Sequence, residues 1–344
     1  MKLAIQESKR SFSARWVKYC QSNGITYKLV NVYKNDIISQ VADCDALMWH
    51  FHHADYRDMK FAKSLLFSLQ EKGIKVFPNF YTCWHFDDKI AQKYLLEAID
   101  APLIPTYVFY TEEEALAWTE QTNFPKVFKL KGGAGASNVK LARTKKDAQK
   151  LIQQCFGKGF HQYRFWERLK EEYRKFNQGI SGLRDFLRPI YYQLTKRYPS
   201  TFDHYHGKEI GYAYFQDFIP NNMFDVRVCV VGDKAFALKR YTRDNDFRAS
   251  GSGNISYSKA EIDERCVEIS FKVAKRLATQ SIALDFVFDK DNAPLIVEIS
   301  YGYAVAAYDA CEGYWTDDMQ WHEGSNFDFC GWMIENLISE NKAK

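Results

Sequence analysis

The most informative stretch of the sequence covers residues 128–139 and reads FKLKGGAGASNV. Two lysines in an apolar segment are followed by three glycines among small residues, and then by another apolar segment. Glycines let backbone amides approach phosphate oxygens closely, and a lysine adds a compact positive charge. A tight hairpin between two strands explains the stretch equally well. It is neither a Walker A loop, since no GK[ST] follows, nor a Rossmann fingerprint, since a strand follows rather than a helix.

Two other apolar segments each contain one carboxylate. They read IALDFVF at 282–288 and LIVEIS at 295–300, with a turn between them. We predict two adjacent strands that bury Asp285 and Glu298, and each buried carboxylate then needs a cation. Two such carboxylates can share Mg²⁺, which prefers a few carboxylates plus phosphate oxygens. We favour this metal site over the alternative, which is a pair of buried salt bridges to lysine or arginine.

A third group of polar residues lies between these stretches. The segment QDFIP at 216–220 ends a predicted strand, and its exposed backbone edge could pair with an adenine. Asp225 and Arg227 then begin the next strand. Arg240 and Arg248 follow, and arginines can fork onto phosphate or carboxylate oxygens. Each residue alone is typical of a surface or an ion pair, and their order along the chain is the informative feature.

The first hundred residues alternate between strand and helix patterns. Strands are predicted at 2–6, 27–32, 45–51 and 75–77, and helices around 12–20 and 61–69. This alternation favours a parallel, doubly wound sheet. The sequence WHFHH at 49–53 lies at the carboxyl end of the third of these strands, where α/β sheets bind ligands. Substrate contact by these histidines is a better interpretation than metal ligation, because only His50 and His52 share a strand face.

A second pattern begins near residue 102. Thr111 and Thr144 are predicted to cap helices, and strands are predicted at 126–131, 139–142 and 211–218. Strands dominate from there to about residue 300, with a helix at 260–277 and a last helix at 327–338. Residues 158–208 interrupt this rhythm with two helical patterns.

Composition excludes several classes of protein. The chain has 344 residues, 26% of them charged, and a net charge of +4, which is too small to imply nucleic acid. No run approaches the roughly 18 apolar residues of a spanning helix. The eight cysteines contain no CxxC pair, which argues against a zinc site or a disulfide framework. We expect a cytoplasmic protein without a transmembrane segment.

The order of these motifs resembles the ATP-grasp superfamily, specifically its RimK-type and glutathione-synthetase-like carboxylate–amine ligases. The resemblance covers the chain apart from 158–208. It implies an α/β and α+β architecture, in which a doubly wound pre-ATP-grasp domain (1–101) precedes two lobes that clasp ATP. The lobes would be 102–212, which includes the helical insertion, and 213–344, which holds the metal site.

The resemblance also implies roles for individual residues. Lys89 and Lys129 would bind the α- and β-phosphates, and the loop from Gly132 to Asn138 would fold over the triphosphate. The remaining roles are a glycine-loop set of Gly132, Gly133, Gly135 and Ser137; an adenine and ribose set of Gln216, Asp217, Ile219 and Asp225; a catalytic set of Arg227, Arg240 and Arg248; and a magnesium set of Asp285, Glu298 and Ser300. Ser300 departs from the family's Glu-x-Asn pattern, and a serine hydroxyl is a shorter and weaker ligand than an amide carbonyl.

The function implied by the resemblance is ligation of a carboxylate to an amine, driven by ATP with Mg²⁺ through an acyl phosphate. The acid could be an amino acid, a peptide or a uronic-acid-bearing glycan. Two alternatives remain. One is a kinase that stops after phosphoryl transfer, and the other is a nucleotide-binding regulatory protein without turnover.

The insertion carries most of the unusual composition. Residues 158–208 contain eleven Lys and Arg, five Asp and Glu, and twelve aromatic residues, so their net charge is +6 while the rest of the chain sums to −2. We favour a two-helix cap whose aromatic residues pack inward. The alternative is a platform for a large anionic acceptor, or peripheral contact with an acidic membrane.

Overall fold

The computed structural model contains three main sheets. It describes residues 1–8, 11–133, 138–161, 165–177, 181–195, 197, 204–205, 207–242, 248–249 and 253–339. One sheet is parallel and lies in the first hundred residues, and the other two are antiparallel. The mixed architecture predicted from the sequence is therefore observed.

The first sheet has the strand order β2-β1-β3-β4, and all its strands are parallel. The strands are β1 (Lys2–Gln6), β2 (Thr26–Val30), β3 (Ala46–Met48) and β4 (Lys75–Phe77). The helices are α1 (Ser13–Ser22), α2 (Ile37–Gln40), α3 (Tyr56–Glu71), α4 (Phe80–Cys83) and α5 (Lys89–Ala98). Strand β3 is shorter than predicted and ends at Met48, so the three histidines lie in the loop beyond it.

The second sheet has the order β5-β10-β6-β7. Its strands are β5 (Thr106–Phe109), β6 (Lys126–Lys129), β7 (Val139–Ala142) and β10 (Ala213–Asp217). Helices α6 (Glu112–Gln121) and α7 (Lys145–Phe156) begin after the predicted caps Thr111 and Thr144. Because β10 pairs with both β5 and β6, this sheet extends to residue 217, past the boundary that we predicted at 212.

The insertion is a helical hairpin closed by a short pair of strands. Strand β8 (Phe160–His161) pairs with β9 (Lys208–Glu209) at its base. Between them lie α8 (Phe165–Asn177) and α9 (Leu183–Thr195), which match the two predicted helical patterns.

The third sheet has the order β15-β14-β11-β12-β16-β17, and β13 also pairs with β12. The strands are β11 (Phe224–Val231), β12 (Lys234–Tyr241), β13 (Ile255–Ser256), β14 (Ser281–Phe288), β15 (Pro294–Ser300), β16 (Gly313–Thr316) and β17 (Trp321–Glu323). Two α-helices accompany it, α10 (Glu264–Leu277) and α11 (Phe329–Ser339). Two short 3₁₀ turns lie at Lys259–Glu261 and Val305–Tyr308.

Both faces of this third sheet are covered. Side chains alternate between faces along a strand. On β11, Val226, Val228 and Val230 therefore share a core with α10. Cys229 and Val231 face the opposite way and share a core with α1 and α11. This alternation decides which polar residues of β11 point away from α10, and these are Asp225 and Arg227.

Candidate functional site

A cleft of about 260 Å³ lies between the first domain and the two antiparallel sheets. Thirteen of the predicted site residues line it: Lys89, Lys129, Gly132, Gly133, Gln216, Asp217, Ile219, Asp225, Arg227, Arg248, Asp285, Glu298 and Ser300. Arg240 is absent from this lining. Gly135 and Ser137 lie outside the described residues. The fold thus gathers residues that are up to 211 positions apart in the sequence.

Two buried lysines line the cleft, and their pKa values are shifted in opposite directions. The Lys89 ammonium donates to the Gly133 carbonyl at 2.8 Å and lies 3.3 Å from a Glu298 carboxylate oxygen. Burial alone would lower its pKa, but Glu298 and Asp87 outweigh burial and raise it. The Lys129 ammonium makes no hydrogen bond or ion pair with any described residue. Burial lowers the pKa of Lys129 to about 8.

The glycine stretch is held against the loop that precedes α5. The Gly133 amide donates to the Asp87 carboxylate at 2.8 Å, and the Lys89 amide donates to the Lys131 carbonyl at 2.9 Å. A Cβ at Gly132 would lie 3.1 Å from an Asp87 carboxylate oxygen, and Gly133 has a φ of +106°. Both positions therefore suit glycine, for reasons of space and of backbone conformation.

The floor of the cleft contains a cluster of two arginines and two aspartates. Arg227 binds Asp285 through two hydrogen bonds of 2.5 and 2.6 Å. Arg240 binds Asp225 through two of 2.7 and 2.8 Å and reaches Asp285 at 3.0 Å. In both bidentate pairs the two residues lie directly opposite each other on neighbouring strands. Burial alone would raise the pKa of the Asp285 carboxyl, but Arg227 and Arg240 hold it well below its usual range.

The pairings within this cluster can be compared with the roles that the sequence predicted for its members. Arg227 and Arg240 were expected to bind phosphates or the reacting carboxylate, and Asp225 was expected near the ribose. In the structure each of these side chains is paired within the sheet, and the roles predicted for them at a ligand stay predictions. For Asp285 the geometry is that of a buried salt bridge to arginine, the alternative that we favoured less than a metal site. The physical reason is register, because it places each carboxylate directly opposite a guanidinium.

The predicted magnesium ligands differ in how open they are to the cleft. Both Asp285 oxygens accept hydrogen bonds from arginine. The Ser300 hydroxyl donates to the Gly302 carbonyl at 2.9 Å and accepts from the Gly302 amide. Glu298 is 30% exposed, with Lys89 beside it. Within the part of the chain that the structure describes, no three His, Cys, Asp or Glu side chains form a metal site. These residues fit a Mg²⁺ ion only if one or two of their carboxylates bind it together with phosphate oxygens of a ligand.

The residues predicted at the adenine also behave differently from one another. The Gln216 amide is buried and donates to the Thr106 and Tyr214 hydroxyls at 3.1 and 3.0 Å. Asp217 pairs with Lys126. Both side chains thus have partners in the second sheet, and the Gln216 amide also donates to the Val297 carbonyl of β15 at 3.3 Å. Ile219 lies beyond the end of β10, so its backbone is outside the strand pairing.

The first domain contributes to the cleft one of the three histidines for which substrate contact was predicted. His50 is buried, accepts a hydrogen bond from the Phe12 amide at 3.1 Å and stacks on the Phe12 ring. His53, rather than His50 or His52, lines the cleft. Burial lowers the pKa of His53 to about 4, so the imidazole is neutral at pH 7. Asp87 also lines the cleft and was not predicted as a site residue. Its position two residues before Lys89 in the sequence could have indicated it.

The chain is similar in sequence and structure to proteins of one superfamily. Residues 203–309 match the RimK-like ATP-grasp domain. The structure is similar to a RimK domain ATP-grasp protein from Sphaerobacter thermophilus, with 16% identity, a TM-score of 0.55, and coverage of 98% of this chain and 100% of the other. It is also similar to D-alanine–D-alanine ligase from Bacillus anthracis, with 11% identity, a TM-score of 0.56, and coverage of 100% and 99%.

A third similar structure is the biotin carboxylase domain of 2-oxoglutarate carboxylase from Hydrogenobacter thermophilus, in complex with MgADP, ADP and bicarbonate. Its identity is 12% and its TM-score 0.58, with coverage of 98% of this chain and 69% of the other. Comparison of the sequence with curated proteins finds no match.

These likenesses define the fold as that of the ATP-grasp proteins, whose members are mostly ATP-dependent ligases. The match at residues 203–309 and the ATP-grasp fold confirm the resemblance that the sequence predicted. The predicted fold class is likewise confirmed.

The two carboxylates of the cleft allow a matched test of the ion cluster. Asp285→Asn leaves Arg227 and Arg240 largely buried without their shared counter-charge, so the free energy of unfolding should fall by about 3 kcal/mol or more. Glu298 lies directly opposite Asp285 on β15, and its side chain is partly exposed. Glu298→Gln should therefore lower the free energy of unfolding far less. Urea denaturation followed by circular dichroism measures both. Equal losses of stability in the two variants would contradict the cluster's structural role.

Proposed function

We propose that this protein is an ATP-dependent carboxylate–amine ligase that works through an acyl phosphate. The observation that carries the proposal is the Lys129 ammonium, which is buried in the cleft and makes no hydrogen bond or ion pair within the described residues. A buried cation without a partner is costly, and an anion that enters the cleft would remove that cost. Lys89, Gly132 and Gly133 line the same cleft, and the fold is that of the ATP-grasp proteins. Both observations favour a nucleoside triphosphate as that anion.

The proposed arrangement of ATP follows from the position of each group. The phosphates would lie over Lys89 and Lys129, beneath the backbone of Gly132 and Gly133. The adenine would lie beyond the end of β10, where the Ile219 backbone is outside the strand pairing. Gln216 and Asp217 would hold the end of β10 in place rather than contact the adenine, because their side chains already bind Thr106 and Lys126.

The chemistry has two balanced steps. A carboxylate oxygen of the acid attacks the γ-phosphorus of ATP, the bond to the β-phosphate oxygen breaks, and ADP leaves as an acyl phosphate forms. An amine then attacks the acyl carbon, inorganic phosphate leaves, and the amine loses one proton. The protein mainly positions the reactants and neutralises charge, as is general for phosphoryl transfer. Neither step requires a protein nucleophile.

Glu298 is the carboxylate best placed to hold a cation alongside the phosphates. Mg²⁺ bound there would neutralise charge on the transferring phosphoryl group. Asp285 would contribute mainly by holding Arg227, and through it the floor of the cleft.

The acid and the amine would enter from the first-domain side. His53 and Phe86 line that side of the cleft, and Arg248 also faces the cleft. Arginine can bind a carboxylate through a bidentate pair. A neutral imidazole can accept a hydrogen bond from an amine. This chemistry suits an amino acid, a peptide or a uronic-acid-bearing glycan as the acid.

Trapping with hydroxylamine tests the acyl phosphate directly. With ATP, Mg²⁺, hydroxylamine and the correct acid, the protein should form ADP and a hydroxamate in equal amounts. The screen should cover amino acids, peptides and uronic acids. A stable phosphorylated product without hydroxamate would indicate a kinase instead. ATP binding without ADP formation across the screen would contradict catalysis and favour a regulatory role.

Lys129 should make nucleotide binding depend on pH. Its pKa of about 8 in the free protein means that the ammonium loses its proton as the pH rises through 8, and only the charged form attracts phosphate. Affinity for ATP should therefore fall above pH 8, by at most about tenfold per pH unit, and binding should take up a proton. Calorimetry in buffers of different ionisation enthalpy measures both effects.

Substitution separates Lys129 from other groups that titrate. Lys129→Arg keeps the charge across this pH range, so the variant should bind ATP with little dependence on pH. Lys129→Met should lower the affinity at pH 7 by about a hundredfold. Lys145→Met, which changes an exposed lysine at the start of α7, is the control and should bind like the wild type. An unchanged pH profile in Lys129→Arg would contradict the assignment.

Glu298→Gln tests the cation site. Turnover should fall by about a hundredfold or more, while the melting temperature stays near that of the wild type. Mg²⁺ alone should show no saturable binding to the wild type, because the protein offers too few open ligands without phosphate oxygens. Tight binding of Mg²⁺ in the absence of nucleotide would contradict this arrangement.

A further inference from the structure

The insertion presents an apolar surface that nothing in the described structure covers. Eight of the eighteen large hydrophobic side chains that are exposed among the described residues lie within 158–208, which is only about a seventh of the chain. Such a concentration marks an interaction surface more often than chance exposure does. The expectation that the aromatic residues of the insertion pack inward is thus met only in part.

The exposed large hydrophobic residues of α9 form a single stripe. Leu183, Leu187, Tyr191 and Leu194 are spaced at i, i+4, i+8 and i+11, which places them along one side of the helix. Their exposed fractions are 57%, 44%, 48% and 78%. A stripe of this kind usually faces a core or a partner, and among the described residues it faces neither.

A different set of residues holds the two helices together. Phe186 of α9 contacts Tyr173 and Phe176 of α8, with ring centroids 5.9 and 5.6 Å apart. The exposed stripe is therefore not needed to close the hairpin. Trp166, near the start of α8, is 77% exposed. Because the two helices form a hairpin, it lies near the C-terminal end of α9 and adds an aromatic group there.

The charge of the insertion identifies the kind of surface it would meet. Its net charge is +6, while the rest of the chain sums to −2. Arg184 and Arg188 lie on α9 among the stripe residues, and Arg168 lies on α8. All three are exposed. A second copy of the hairpin would bring +6 against +6, so self-association through this face is electrostatically disfavoured.

We propose that the α8–α9 hairpin binds the surface of an anionic lipid bilayer. Helices that lie in a membrane interface combine an apolar face containing Leu and Trp with a polar face rich in Lys and Arg. Anionic headgroups attract the basic residues, and the apolar side chains enter the boundary between headgroups and acyl chains. No helix in the described part of the chain could cross a membrane, so the contact is peripheral.

The insertion is connected to the cleft at two points. Tyr205 packs against Tyr56 of α3, with ring centroids 5.4 Å apart, and Tyr56 lies three residues after His53. The Tyr212 hydroxyl donates to Glu209 of β9 at 2.7 Å and accepts from the Lys131 amide at 2.7 Å. A hairpin that lies on a bilayer would therefore bring the first-domain side of the cleft near the lipid surface.

Vesicle flotation with the 344-residue chain tests the proposal without reference to catalysis. The probes are vesicles of phosphatidylcholine alone and vesicles in which roughly a third of the lipid is phosphatidylglycerol. The protein should float with the anionic vesicles only, and salt should weaken the association. Absence of binding to anionic vesicles at low salt would overturn the proposal and would leave the proposed ligase function untouched.

Two pairs of substitutions separate the apolar and the basic contributions. Leu187→Gln with Leu194→Gln should lower partitioning to anionic vesicles by about tenfold. Arg184→Glu with Arg188→Glu should lower it by at least about twenty-fold, since each basic residue contributes about fivefold near an anionic surface. The matched controls lie outside the insertion at exposed positions: Leu29→Gln with Tyr81→Gln, and Lys272→Glu with Lys290→Glu. The controls should bind as the wild type does.

Three further outcomes would overturn the proposal. Controls that weaken binding as much as the insertion variants would point to a nonspecific effect of charge and polarity. A concentration-dependent dimer in sedimentation that Leu187→Gln with Leu194→Gln abolishes would assign the stripe to a second copy of the chain. Competition by a soluble polyuronate, with no effect of the apolar substitutions, would assign the surface to an acidic glycan. Circular dichroism confirms that each variant is folded.

Discussion

The arrangement of the cleft depends on the cluster of Arg227, Arg240, Asp225 and Asp285. Two carboxylates and two guanidiniums lie on β11, β12 and β14, and each bidentate pair joins residues directly opposite each other on neighbouring strands. A shift of register by one residue would place these charges on the face that packs against α10. The cluster therefore ties the register of the third sheet to a charged floor under the cleft.

Above that floor, the balance of charge differs between the two lysines. Lys89 already has Glu298 and the Gly133 carbonyl as partners, whereas Lys129 is buried beside it with none among the described residues. The free protein thus holds one cation that is satisfied and one that is not. Such a site is ready for an anion because binding removes an existing electrostatic cost. The first domain closes the same space with Asp87, which fixes the glycine stretch.

Much of the fold could be predicted from local patterns. The caps at Thr111 and Thr144, the strand at 139–142 and the hairpin that buries Asp285 follow from hydroxyls, periodicity and apolar runs, which act over a few residues. The candidate site was harder to predict. The sequence identified Asp285 as a carboxylate in need of a cation, but a metal and an arginine meet that need equally well in sequence. Substrate contact was predicted for the histidine cluster as a whole, and the sequence did not single out His53, because β3 ends earlier than its apolar run suggested.

By itself, the sequence determined the order of motifs, the fold class and the concentration of positive charge in the insertion, since these depend on composition and local spacing. Tertiary structure decided which charges neutralise one another, because residues such as Arg227 and Asp285 are 58 positions apart and meet only through strand register. It also decided that Lys129 lacks a described partner while Lys89 has one. Likewise, it left the Leu183–Leu194 stripe uncovered by any described residue, since helical spacing makes a stripe apolar but only packing determines whether anything lies on it.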